Sequence, residues 1–347
     1  MKIIADINIP CVKEIFNEFG EIDLIPGREI SNKMIKDADV LLVRSVTKVN
    51  KELLSDSKVR FVGTATIGFD HIDIEYLKTN NIFFASAPGS NADSVAEYII
   101  SGLLNLSKKF NFNLKDKKVG IIGIGNVGSR VKKRLDILGV ECLLNDPPKE
   151  RETKNRIYLP LKRVLEISDI ITVHVPLNKT GIDATYHLIN DSFISMMKNN
   201  SILFNTSRGK IMDETVIRKN RNKLLALVLD VWETEPEVNI ETLEMTDIAT
   251  PHIAGYSYDG KVRGTEMLYH DLCVFLNKEE KWDKSEFIKT PYIVEAKNGT
   301  VRYGSNTVLK FLKDYLLEFQ KLLSEGKISN DPEKLDIVIR ISAEIGL

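Results

Sequence analysis

The chain lacks most of the features that would mark a specialised protein. Its three cysteines, Cys11, Cys142 and Cys273, are scattered, so they make neither a disulfide framework nor a paired-thiol metal site. They read as small buried hydrophobes in a reducing compartment, which points to the cytoplasm. Charge of either sign is not in excess. The 48 lysines and arginines balance 49 aspartates and glutamates to a formal net charge of −1, which argues against nucleic-acid or membrane partners. No apolar run approaches the roughly 20 residues of a membrane-spanning helix. The opening Met1-Lys-Ile-Ile-Ala-Asp6 enters a strand without a cleavable leader pattern. Internal repeats and low-complexity tracts are missing as well. What remains is 347 residues, 43% hydrophobic and 28% charged, enough for two or three globular domains.

One stretch organises the rest: Lys118-Val-Gly-Ile-Ile-Gly123-Ile-Gly125-Asn126-Val127-Gly128. Val119, Ile121 and Ile122 are the β-branched residues of a buried parallel strand. Gly123, Gly125 and Gly128 follow as G-x-G-x-x-G, which permits a tight turn, close pyrophosphate approach and close helix–strand packing. A helix with Val127, Val131, Leu135 and Leu138 on one face comes next. A second strand, Val140–Asn145, then ends at Asp146, eighteen residues beyond Gly128. A carboxylate there accepts both ribose hydroxyls of an adenosine and repels a 2′-phosphate. The order predicts a dinucleotide site, with NAD as the cofactor.

The chain on either side alternates short strands with helices. Lys2–Ala5, Ile22–Ile25, Val40–Val43, Arg60–Gly63 and Ile82–Phe84 are strand candidates, with helices at Pro10–Phe19 and Asp70–Thr79. Five strands with four crossovers predict a flavodoxin-like parallel sheet. A long helix, Asp93–Phe110, leads into a second domain. There Asp169–Val175, Ser201–Asn205, Leu224–Leu229 and Asp247–Ala249 bring the count to six strands of a doubly wound Rossmann fold. Helices are expected near Leu161–Ile167, Asp213–Asn220 and Arg263–Asn277. The fold class is therefore α/β, with two doubly wound parallel-sheet domains. A first domain spans 1–90, completed by about 257–282, and a dinucleotide domain spans 91–256. A small α+β segment, 283–347, holds a β piece at Tyr292–Ala296 and a helix over Val308–Leu323. Its apolar stripe of Leu309, Leu312, Leu316 and Phe319 implies self-association, giving a homodimer.

Three residues with chemistry to offer fall where the second domain's strands end: Arg208, Glu235 in Asp230-Val-Trp-Glu-Thr-Glu235-Pro236, and His252 after Pro251. Oxidising a 2-hydroxy acid needs a cation for the carboxylate, a base for the hydroxyl proton and a hydride acceptor. Arg208 grips a carboxylate bidentately. His252 takes a proton near neutral pH. Glu235 holds the other imidazole nitrogen and favours the protonated ring. Singly, each also reads as a strand-end surface arginine, a turn glutamate and a structural histidine; His71, His174, His187 and His270 read as structural.

These stretches, with Asn205-Thr-Ser-Arg-Gly209 and Asp213, resemble the D-isomer-specific 2-hydroxyacid dehydrogenases over about residues 1–280. Val43–Asn50, Phe61–Thr66, Asp146-Pro-Pro148, His252–Ser257 and Asp259–Thr265 resemble a branch of that family with a small phosphorylated 2-hydroxy acid as substrate. The resemblance implies Arg208, Glu235 and His252 as catalytic residues. It further implies Asp146, Val175, Asp230 and Gly255 on NAD, and Ser45, Thr66 and Tyr256 on substrate. Met212 stands where a valine is commoner, and Val175 can offer NAD only its backbone. A phosphorylated substrate needs a second anion site besides Arg208. Arg44-Ser-Val-Thr-Lys48, with two cations and two hydroxyls, is the candidate, joined by Tyr256 and Lys261. Rival readings are the same chemistry on 3-phosphoglycerate and a non-enzymatic NADH-sensing protein on the same fold.

Overall fold

A computed structural model describes residues 1–282 and two short paired strands, Ala296–Lys297 and Thr300–Val301. The expected tail helix with its Leu309–Phe319 stripe lies outside the described residues. The chain separates into two compact units, one taking Met1–Asn91 and resuming at Tyr256, the other taking Ala92–Gly255.

The first unit is built on β1 (Lys2–Asp6), β2 (Glu21–Ile25), β3 (Val40–Val43), β4 (Phe61–Thr64) and β5 (Phe83–Ser86). All are parallel, in the order β2-β1-β3-β4-β5 expected of a flavodoxin-like sheet. β3 and β4 are buried along their whole length because helices cover both faces, so apolar runs replace alternation. The helix Tyr258–Leu276 belongs to this unit. Its Leu268, Tyr269, Leu272 and Cys273 pack with Phe16, Phe61 and Ala85. Thr265 Oγ1 also donates to the Pro10 carbonyl at 2.9 Å.

The second unit carries β6 (Lys118–Ile122), β7 (Glu141–Asn145), β8 (Ile170–Val173), β9 (Ser201–Asn205), β10 (Leu224–Leu229) and β11 (Ile248–Ala249). They form one parallel sheet, β11-β10-β9-β8-β6-β7, the doubly wound order. The helix Ala92–Lys109 packs Val95, Ile99, Leu103 and Leu106 onto it.

Some local expectations need correction. The helix expected over Asp70–Thr79 begins at Ile74, because the Asp73 side chain caps it by accepting from the Tyr76 N–H. The one expected from Arg263 begins at Tyr258, where Ser257 accepts from the Gly260 N–H. Short helices at Asn32–Ile35, Lys51–Leu54, Asp191–Met196 and Ile240–Glu244 were too brief to show a 3.6-residue period. Pro147 and Pro148 open a helix, Pro147–Thr153, because a first turn needs no intrahelical N–H.

Candidate active site

Arg208 and His252 each lie three residues beyond a strand of the second unit, β9 and β11, and Glu235 lies six residues beyond β10. His252 adopts φ +58, a left-handed backbone uncommon for a residue with a side chain. Asp230 holds it there. The Asp230 carbonyl accepts from the His252 N–H at 2.7 Å. Its carboxylate accepts from the Ile253 N–H (2.8 Å), the Ala254 N–H (2.9 Å) and the Thr250 hydroxyl (2.6 Å). With the Thr250 proton committed there, the Tyr98 hydroxyl 2.7 Å away must donate to Thr250.

Glu235 bridges two partners. Oε1 accepts from the Trp232 N–H at 2.8 Å, and Oε2 lies 2.8 Å from His252 Nδ1. The His252 side chain is about half exposed, and with Nδ1 held by Glu235 the nitrogen left for proton transfer is Nε2. Burial pulls the imidazole down, but the Glu235 hydrogen bond and charge, aided by Asp230, outweigh it. His252 is therefore raised above the usual histidine range, against opposition from Arg208. Burial pushes Asp230 up to about 6 despite His252 and its three hydrogen bonds. Arg208 donates from Nη1 to the Ser207 carbonyl at 2.8 Å, and its own carbonyl accepts from Asn205 Nδ2 at 3.1 Å. Next to it, the backbone of Gly209 abuts Trp232: a Cβ at Gly209 would fall 1.8 Å from the Trp232 carbonyl oxygen. The structure thus brings Arg208 and Glu235 each within electrostatic reach of His252. The Tyr98–Thr250–Asp230 chain beneath them was not foreseen. Its only sequence signal was a tyrosine on the apolar face of a helix.

The cofactor turn has the geometry that a pyrophosphate requires. Gly123 takes φ +88, and a Cβ there would meet the His174 carbonyl at 2.6 Å. At Gly128 a Cβ would sit 2.0 Å from the Gly123 carbonyl oxygen, while at Gly125 it would meet nothing within 4 Å. The open position faces the start of the helix Asn126–Ile137, whose first N–H groups, on Asn126, Val127 and Gly128, lack intrahelical partners and suit an anion. Asp146 is less available than the sequence suggested. Oδ1 caps the helix Pro147–Thr153 at the Lys149 N–H (3.0 Å), and Oδ2 accepts from the Ile124 N–H (2.8 Å). Each oxygen keeps a lone pair for a ribose hydroxyl. Asp230 is 1% exposed: its carboxylate holds its own turn, and its backbone N–H and carbonyl are bonded to Asn205 and His252. Val175 and Gly255 are partly exposed at strand-end loops.

In the first unit, Ser45 is exposed just past β3, and Thr66 lies just past β4. Tyr256 lies under Lys261, whose Nζ is 3.4 Å from the ring centroid, and Arg44 Cζ lies 6.0 Å from the same centroid. Burial and Arg44 hold the Lys261 ammonium below the usual lysine range. Thr47 leaves the expected cluster, because its hydroxyl is buried and donates to the Gly27 carbonyl at 2.7 Å.

Residues 95–254 match the family model of the D-isomer specific 2-hydroxyacid dehydrogenase NAD binding domain. An erythronate-4-phosphate dehydrogenase from Salinibacter ruber is 47% identical over 295 residues, 83% of this chain and 75% of that protein. This chain belongs to the erythronate-4-phosphate dehydrogenase family. A second member, from Proteus mirabilis, is 45% identical over 84% of this chain and 79% of its own. Among solved structures, an NAD⁺-bound 3-phosphoglycerate dehydrogenase from Entamoeba histolytica aligns with a TM-score of 0.68. That protein is 27% identical, and the alignment covers 80% of this chain and 95% of the other. As in the family at large, the fold is two parallel sheets with interleaved helices, and the enzyme is an NAD-dependent dehydrogenase. Among the described residues no helix is long and apolar enough to cross a membrane.

Proposed function

We propose that this enzyme oxidises 4-phospho-D-erythronate at carbon 2 to (R)-3-hydroxy-2-oxo-4-phosphooxybutanoate, a step of pyridoxal 5′-phosphate biosynthesis. NAD, when bound, supplies the hydride acceptor. His252 Nε2 takes the hydroxyl proton, while Glu235 fixes the ring through Nδ1 and stabilises the imidazolium that forms. Arg208 holds the substrate carboxylate. We assign Gly123, Gly125, Asn126, Val127, Gly128, Asp146, Val175, Asp230 and Gly255 to NAD, and Ser45, Thr66 and Tyr256 to substrate.

The observation that carries the phosphorylated substrate is the Arg44–Tyr256–Lys261 group. Two cations share one aromatic ring, and no carboxylate among the described residues pairs with either. Like charges held together this way are relieved by a bound dianion. The names of the relatives agree with this choice of substrate. A homodimer assembled through the segment after about residue 283, and a cytoplasmic location suited to three unpaired cysteines, complete the proposal. The test is NADH absorbance with 4-phospho-D-erythronate, erythronate and 3-phosphoglycerate in parallel. The phosphorylated four-carbon acid should turn over fastest. Equal turnover of unphosphorylated erythronate would remove the phosphate site and this substrate together.

A further inference from the structure

Thr66 stands at the end of a chain of three side chains whose protons can be counted. Its hydroxyl donates to the Gly68 carbonyl at 2.9 Å, and that is its only proton. Thr64 Oγ1, 2.7 Å from Thr66 Oγ1, must therefore be the donor between them. Thr64 is fully buried, and with its proton committed it must accept from His71 Nε2, 3.0 Å away. Burial holds the His71 imidazole below the usual range against the opposing pull of Asp70, so the ring is neutral near pH 7 and carries one proton. That proton must sit on Nε2. The chain runs one way: His71 to Thr64 to Thr66 to Gly68.

Thr66 is thereby left with one lone pair and no proton to give, so towards a ligand it is an acceptor. On the reading of the substrate given above, the acid carries few donors. The carboxylate has none, and a phosphate monoester is largely a dianion near neutral pH, its second pKa being about 6. The carbon 2 hydroxyl gives its single proton to His252. Only the carbon 3 hydroxyl remains.

We infer that Thr66 accepts a hydrogen bond from the substrate's carbon 3 hydroxyl, as a specificity-determining residue, and that His71, acting through Thr64, is the positioning residue that sets this polarity. The site then selects acids bearing a hydroxyl beside the reacting carbon.

The experiment compares kcat/KM for 4-phospho-D-erythronate and its 3-deoxy analogue, 2-hydroxy-4-phosphooxybutanoate of matching configuration. The unmodified enzyme should favour the first by about tenfold, the worth of one good hydrogen bond. Thr66→Val should bring the ratio close to one, and Thr66→Ser should keep it. His71→Leu should collapse the ratio, whereas His71→Gln, which retains an N–H at similar reach, should restore it. Structural damage alone would slow both substrates and leave the ratio standing. Nitrogen-15 NMR of the unmodified protein should show His71 protonated on Nε2. A ratio near one in the unmodified enzyme, an unchanged ratio in Thr66→Val, or an Nδ1–H tautomer would each overturn the inference. Turnover of neither acid would instead overturn the substrate reading itself, and the inference with it.

Discussion

Gly209→Ala places one methyl group where only backbone can answer it. The added Cβ would lie 1.8 Å from the Trp232 carbonyl oxygen, 2.0 Å from its carbon and 2.6 Å from the Glu233 nitrogen. No side chain can rotate aside, so the two turns must part by about 1.5 Å to reach ordinary van der Waals contact. The Trp232–Glu235 turn is the better anchored. Trp232 Nε1 donates to the Thr250 carbonyl, Glu233 and Glu214 exchange backbone-to-carboxylate bonds, and His187 Nε2 sits 2.7 Å from Glu233 Oε1. The turn carrying Arg208 therefore yields. A displacement of that size costs about 10²-fold in rate when it moves a substrate-holding group. Overpacking costs about 1–3 kcal/mol of stability. We expect kcat/KM for 4-phosphoerythronate to fall about a hundredfold and the melting temperature of the protein to drop measurably. Gly125→Ala is the control for stability, since its Cβ meets nothing within 4 Å. A Gly209→Ala enzyme with unchanged kcat/KM and melting temperature would refute the coupling between these turns.

Four other outcomes are expected. His252→Ala should lower kcat by about 10²–10⁴-fold, as loss of a positioned base does. Glu235→Gln should move the acidic limb of the oxidation profile to lower pH: neutral imidazole is the active form, the Glu235 charge raises it, and burial alone would lower it. An unmoved limb would separate the two residues. Asp146→Asn should keep the helix cap yet narrow the preference for NAD over NADP, measured as the ratio of kcat/KM; equal use of both cofactors by the unmodified enzyme would remove Asp146 from that role. Deleting residues after Asp283 should yield monomers or aggregates in light scattering, and an intact dimer would place the contact elsewhere.

The strands were legible because parallel sheets covered on both faces write themselves as short β-branched runs between turns. Arg208, Glu235 and His252 were legible as candidates because ligand sites in such sheets gather where the strands end. Less could be read where a residue's work depends on distant partners. Tyr98 reaches Thr250 across 152 positions, and nothing local to either announces the contact. Asp146 was read as a residue displayed to a ribose, and its ties to Ile124 and Lys149 needed the fold. The Thr64–Thr66–His71 chain lay within eight residues, but its direction follows only from which carbonyl takes the last proton.

The first unit is sewn from two separated pieces of chain, and this sets an order of synthesis. Leu268, Tyr269 and Leu272 complete the packing around Phe16 and Phe61, so the five-stranded sheet leaves the ribosome with one apolar face only partly covered. The whole of Ala92–Gly255 is translated before the covering helix exists. The later-made unit can close its core first, while the amino-terminal strands wait as an exposed, long-range assembly of the slow-folding kind. A nascent chain halted shortly after Gly255 should therefore be a chaperone client through its amino-terminal third, even though its dinucleotide-binding half is complete.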